Sequence, residues 1–223
     1  MRINYFRNRI QLLDPSSQTI NIVQISSKWN DIIGLYPIVG NVFHALSQND
    51  RRNLLVSRYD VFNTGNLDQR IIKALIWGYP YGMQGTRNLQ SIMAHLHQII
   101  QIVNEYNSGP LTKERFLSAY RTLSCISGLK QSTLSKILYF CNVSVGSNRA
   151  VIVDANVIEA FGFFDDYYDA SFESDPAERY FRQIVRINSS ARRLNVTPDQ
   201  IEYFLFELGK QGKRVKTDFV TNY

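Results

Sequence analysis

From residue 67 onward the apolar positions recur with a period near 3.6, the signature of amphipathic helices. Residues 67–77 place Ile71, Ile72, Leu75 and Ile76 on one face, after the turn-like run Asn63-Thr64-Gly65-Asn66. A loop rich in glycine and aromatic rings, residues 78–85, interrupts the pattern. Thr86 is placed to cap one long helix whose apolar positions run from Leu89 through Ile92, Met93, Leu96, Ile99 and Ile100 to Val103; Ser108-Gly109-Pro110 stops it. Thr112 can cap the next helix, with Phe116, Leu117, Tyr120 and Leu123 on one side. Gly128 breaks that pattern, and a second helix is expected from about Ser132, with Leu134, Ile137, Leu138 and Cys141 at helical spacing. The product is two helices joined by the short segment Ile126-Ser127-Gly128-Leu129-Lys130-Gln131.

Beyond this pair, Ala150-Val151-Ile152-Val153 reads as a short strand that stops at Asp154, itself a candidate cap for a helix ending at Phe161. Asp175-Pro176-Ala177-Glu178 and Thr197-Pro198-Asp199-Gln200 are two further helix starts, each with a cap residue, proline at the first helical position and an acid or amide at the third. The basic tail after Gly209 is expected to fray unless it docks. The first 66 residues are less legible. Residues 21–25 suit a strand, and an apolar region from Ile32 to Leu46 is broken by Pro37 and Gly40. The fold class that follows is all-α for the most part. We read residues 1–223 as one unit: an N-terminal segment (1–66), a helical lobe (67–110), the helical pair with the Asp154 segment (111–161), and C-terminal helices (162–223).

Lys and Arg number 25 against 19 Asp and Glu, a formal net charge of +6. This suits a polyanionic partner such as nucleic acid, and it equally suits scattered solubilising charge. Basic residues gather at Arg51, Arg52 and Arg58, at Arg179, Arg182, Arg186, Arg192 and Arg193, and at Lys210, Lys213, Arg214 and Lys216. One acidic segment, Asp165, Asp166, Asp169, Glu173 and Asp175, opposes them. No apolar run approaches the ~20 residues that span a bilayer, and no secretory signal follows the basic start. The expectation is a cytoplasmic monomer without membrane association. In that compartment Cys125 and Cys141, both in apolar sequence, are expected as core thiols, with one disulfide as the alternative. The three histidines do not cluster with them, which argues against zinc.

The short segment between the paired helices is where chemistry first suggests itself. A tight glycine-containing hairpin points its amides, and the positive end of the following helix, outward, where one phosphate can be received without reading a base. Gly128 permits the tight approach, Ser132 and Thr133 offer hydroxyls, and Lys130 offers a cation. An ordinary helical turn with a glycine C-cap has the same local pattern.

Residues 126–138, taken with Ile152-Val153-Asp154-Ala155-Asn156-Val157, resemble the helix-hairpin-helix DNA glycosylase superfamily, which includes 8-oxoguanine and adenine DNA glycosylases. Gly128 matches the first hairpin glycine, Leu129 the hydrophobic residue and Asp154 the family aspartate. The resemblance implies a two-lobed helical fold with DNA between the lobes, and hydrolytic removal of a damaged or modified base. Oxidised purines are the default substrate. Bases modified in phage DNA are an alternative, and so is a hairpin protein that binds DNA without catalysis. It implies no required cofactor, and a monovalent cation at the hairpin carbonyls. Several positions depart from the pattern. Lys130 replaces the second hairpin glycine, and Ser127 stands where proline is usual. Ser132 occupies the position of the lysine nucleophile of bifunctional members, so strand cleavage would need Lys130 or Lys136 instead. On its helix Lys136 is expected either in solvent or facing the cleft. An aspartate such as Asp154 stabilises the positive charge that builds on deoxyribose as the glycosidic bond breaks, although a plain helix N-cap has the same sequence. Tyr79 and Tyr81 are candidates for the wall of a pocket for an extruded base, and Met83 or Gln84 for the group filling the vacated space.

Overall fold

The computed structural model describes residues 2–47, 54–106, 109–165, 167 and 173–220, with side chains through 212. Arg51, Arg52, Ser108, Asp166 and Asp169 lie outside the described residues, as do the side chains of Lys213, Arg214 and Lys216. The chain is mostly helical.

The N-terminal segment contains α1 (Arg7–Gln11), β1 (Thr19–Ile22), α2 (Ser27–Leu35), α3 (Pro37–Ser47), β2 (Leu54–Ser57) and α4 (Arg58–Phe62). The strand expected at 21–25 begins earlier. It pairs antiparallel with β2 in the register Thr19↔Ser57 to Ile22↔Leu54. The apolar region is broken at Pro37, where α2 has ended and α3 begins with a proline whose missing amide costs nothing, whereas Gly40 lies within α3 and does not break it. Trp29, Ile32, Val39, Val42 and Phe43 carry this segment into the same buried cluster as the later helices.

Then follow α5 (Leu67–Gly78), α6 (Thr86–Ala94), α7 (Leu96–Asn104), α8 (Lys113–Ser124) and α9 (Gln131–Phe140). The single long helix expected after residue 86 is two. At His95 the backbone leaves helical geometry (φ −102°, ψ 11°), and the imidazole Nδ1 lies 2.8 Å from Ser91 O. Thr86 is not the cap of α6, because Gly85 at φ +78° holds that position. Thr112 does cap α8, accepting from Arg115 N.

A two-residue hairpin, β3 (Ser144–Val145) and β4 (Asn148–Arg149), leads to α10 (Ala155–Phe161), α11 (Pro176–Leu194) and α12 (Pro198–Val220). Residues 150–153, expected as a short strand, belong to no helix or strand. Their polar groups are met by others: Ala150 N donates to Val143 O at 2.8 Å, Tyr180 Oη to Val151 O at 2.9 Å, and Val153 N to Ser135 Oγ at 3.1 Å. The chain does not fray after Gly209, because α12 continues to Val220 and docks on α10. At the crossing the Gly209 backbone lies against the Asn156 carbonyl so closely that any Cβ would collide with it. Both thiols are free, but only Cys141 is in the core. Cys125 is exposed at the end of α8, because the helix terminates there and turns its last residue outward.

Candidate active site

Ile126 to Lys130 form a tight connection between α8 and α9 in which Gly128 has φ +89°. A Cβ there would stand 2.8 Å from the Asn88 carbonyl oxygen, so glycine lets the hairpin press on the start of α6. Lys130 is the N-cap residue of α9 in extended geometry. Its carbonyl accepts the amides of Thr133 and Leu134, both at 2.9 Å, while the amides of Gln131 and Ser132 have no partner among the described residues. The positive end of α9 therefore has free donors beside the exposed Lys130 side chain.

These groups form one wall of a groove of about 680 Å³. Ser127, Gly128, Lys130, Ser132 and Thr133 line it on the hairpin side, and Tyr79, Gly82, Met83 and Gln84 on the other. Two bridges join the walls. The Tyr79 hydroxyl lies 2.8 Å from Thr133 Oγ1, and Asn88 donates to Gln84 O at 2.8 Å while accepting from Ser127 Oγ at 2.9 Å. Within the loop the candidates differ. Met83 is buried and lines the groove, so it does not project as a wedge. Gln84 is exposed, and Tyr81 is 67% exposed.

Lys136 is neither in solvent nor open to the cleft. It is 5% exposed, and its Nζ donates to Ser132 O at 3.0 Å and to Ser132 Oγ at 2.9 Å. A side chain one helical turn later points back toward the N-terminus, so the amine arrives beside residue 132. The Tyr79 ring lies over it at 5.1 Å. Gly78 makes room, since a methyl there would come within 2.6 Å of Lys136 Cδ. No ion pair among the described residues involves Lys130, Lys136 or Asp154.

Asp154 is the N-cap of α10. Its Oδ1 accepts Asn156 N at 2.9 Å and Val157 N at 3.2 Å, which leaves Oδ2 without a partner among the described residues. The carboxylate is half-buried and does not line the groove itself. Its segment is tied to α9, one turn beyond Ser132, because Val153 N is held by Ser135 Oγ. Behind it is a buried pair absent from the sequence reading. Arg58 and Glu202, 1% and 0% exposed, meet through Nη1–Oε2 at 2.6 Å and Nη2–Oε1 at 3.1 Å. The guanidinium is stacked by Trp77, Tyr139 and Tyr203. Burial pushes the Glu202 carboxyl up to about 7; Arg58 pulls it back, and the Asp154 charge adds to the rise. A glutamate within the apolar stripe Ile201, Phe204, Leu205 was the available sign of a buried partner. Nothing in the sequence marked Lys28, Trp29 or Asn88.

No group of metal ligands occurs among the described residues, and no helix in them is long and apolar enough to cross a membrane. No curated protein and no solved structure matches the chain. A family model described as "Putative 8-oxoguanine DNA glycosylase OGG-like protein" matches residues 18–206, from β1 into the first turns of α12, with the hairpin and Asp154 inside the match. The chain belongs to this OGG-like DNA glycosylase family.

Proposed function

We propose that the protein holds DNA by a backbone phosphate at the α9 N-terminus and hydrolyses the glycosidic bond of an extruded base, with Asp154 as the catalytic carboxylate. One observation carries the reading: a carboxylate fixed through Oδ1 and free at Oδ2 caps α10, and the residue before it is held by Ser135 of α9, the helix whose free amides and Lys130 form the phosphate site. As the bond to the base breaks, its electron pair leaves with the base and positive charge spreads over C1′ and the ring oxygen. Oδ2 opposes that charge and takes a proton from the attacking water. Tyr79 and Gln84 form the wall across the groove, and Tyr81 and Gln84 are the exposed groups able to enter the duplex. The hairpin carbonyls of Ser127, Gly128 and Leu129 accept no amide among the described residues and remain for a monovalent cation. The test is abasic-site formation across duplexes bearing oxidised purines and, separately, the modified bases of phage DNA. Release of no base from any of them would overturn the reading and favour a DNA-binding role alone.

Strand cleavage is a second reading with its own observation, the Lys136 amine 2.9 Å from Ser132 Oγ. Lys136 supplies from one turn away the nitrogen that position 132 lacks, whereas Lys130 is exposed at the phosphate end. In this route the nitrogen bonds to C1′, the base leaves with the glycosidic electron pair and the amine's proton, and ring opening gives an imine. Loss of a C2′ proton then expels the 3′ phosphate. The Tyr79 ring must first swing off the amine. Borohydride should trap a covalent complex with wild type and with Lys130→Ala but not with Lys136→Ala; no trapped wild type means hydrolysis alone.

A further inference from the structure

The loop between α5 and α6 owes its shape to a helix far away in sequence. Tyr79 O accepts the Trp29 indole Nε1–H at 2.9 Å and the Gly82 amide at 2.8 Å. Met83 O accepts Lys28 Nζ at 3.2 Å. Between these two carbonyls the backbone turns at Gly82, φ +81°, and lies on the Lys28 stem so closely that a Cβ would stand 2.7 Å from Lys28 Cβ. Trp29 is fully buried against Phe43, so its indole is a fixed post and not a mobile contact. The remaining ties, from Tyr79 Oη to Thr133 and from Asn88 to Gln84 O, hold the same loop to the hairpin side. At its tip, between the two strapped carbonyls, Tyr81 stands in solvent. A loop rich in glycine would otherwise sample many conformations.

We infer that Lys28 and Trp29 of α2 are positioning residues that hold residues 79–83 as a rigid element, so that Tyr81 and Gln84 meet the duplex in the shape that extrudes a base. This rests on the glycosylase reading above and adds a step to it. Driving a base out of the stack costs free energy that only a stiff element can deliver; a loose loop spends the encounter on its own ordering. Neither residue touches the reacting atoms, so their removal should act on extrusion and leave phosphate binding and chemistry at Asp154 intact.

Extrusion is read by stopped-flow fluorescence of 2-aminopurine placed beside a substrate base identified by abasic-site formation. Trp29→Phe keeps the packing ring and loses the donor, and Lys28→Met keeps most of the stem and loses the charge. Both should slow the fluorescence rise by ~5-fold or more, the order expected for one lost hydrogen bond. DNA affinity should stay within about threefold of wild type, since the phosphate contacts are untouched. Lys28→Arg, which keeps a donor, should extrude close to the wild-type rate, an outcome a merely structural role does not predict. Wild-type extrusion by both Trp29→Phe and Lys28→Met would overturn the inference, as would equal losses in Lys28→Arg and Lys28→Met. Should Trp29→Phe fail to fold, the part-exposed Lys28 pair decides alone. Failure of wild type to form abasic sites in any duplex would instead overturn the glycosylase reading, and the strap with it, whereas no fluorescence rise on a base that is excised would overturn the strap alone.

Discussion

The hairpin region, residues 126–157, and the N-terminal segment, residues 1–66, contribute to the same site in opposite ways. The first carries the proposed chemistry on short-range geometry: Gly128, Lys130 and Ser132 close together in sequence, then Asp154 capping its own helix through amides two and three positions on. The second carries no candidate reacting group. Its contribution is reach, with Lys28 and Trp29 gripping a loop 55 and 50 positions away, and Arg58 meeting Glu202 across 144. The contrast teaches that local motifs place functional atoms on the chain, while long-range pairs fix those atoms in space. A motif found without its supports describes what a protein can touch, not how firmly.

If the N-terminal segment is structural, its loss should be felt most in stability. Arg58→Leu leaves Glu202 buried and unpaired, and should cost about 3–5 kcal/mol in denaturant unfolding. Replacing both partners, Arg58→Met with Glu202→Leu, should recover most of that, whereas a single-variant cost below ~1 kcal/mol, the worth of an exposed pair, would make the clamp incidental. Gly209→Ala tests the tie between α12 and the Asp154 helix. The Asn156 carbonyl it strikes is backbone and cannot rotate aside, so a loss of about 1–3 kcal/mol is expected. Excision should fall more than DNA affinity does. On the hairpin side the expected effects are smaller. Lys130→Ala should weaken binding to unrelated duplexes alike and lower the salt slope by ~1, as one phosphate contact is lost. A change confined to one sequence would move Lys130 from phosphate to base. Least of all, alkylation of the folded protein should modify Cys125 alone, since burial pushes the Cys141 thiol up to about 12. Because Cys125 lines the groove, DNA should slow the reaction. An unchanged rate would place DNA elsewhere.

The same contrast explains what the sequence made legible. Apolar periodicity found α5, α8 and α9, and cap chemistry found Thr112, Asp154, Asp175 and Thr197, because each depends on residues within a turn of itself. The break at His95 was hidden, since apolar spacing continues across it and only a side-chain contact to Ser91 marks it. Gly40 was misread because a glycine inside a helix and one that ends a helix look alike in sequence. Lys136 could be placed on its helix but not in space: Gly78 and Tyr79, which enclose it, come from another element. Cys125 and Met83 exchanged their expected settings for the same reason, each being decided by what packs across the groove.

In the proposed mechanism Asp154 performs the chemistry and does more than cap α10. Asp154→Asn keeps the size of the side chain and the oxygen that accepts from Asn156 and Val157, and removes the charge at the free position. Asparagine caps about as well as aspartate, so melting and DNA affinity should stay close to wild type. Single-turnover excision of the preferred base should fall at least ~100-fold, roughly 3 kcal/mol on the barrier. A folded, DNA-binding Asp154→Asn protein that excises at the wild-type rate would contradict the account.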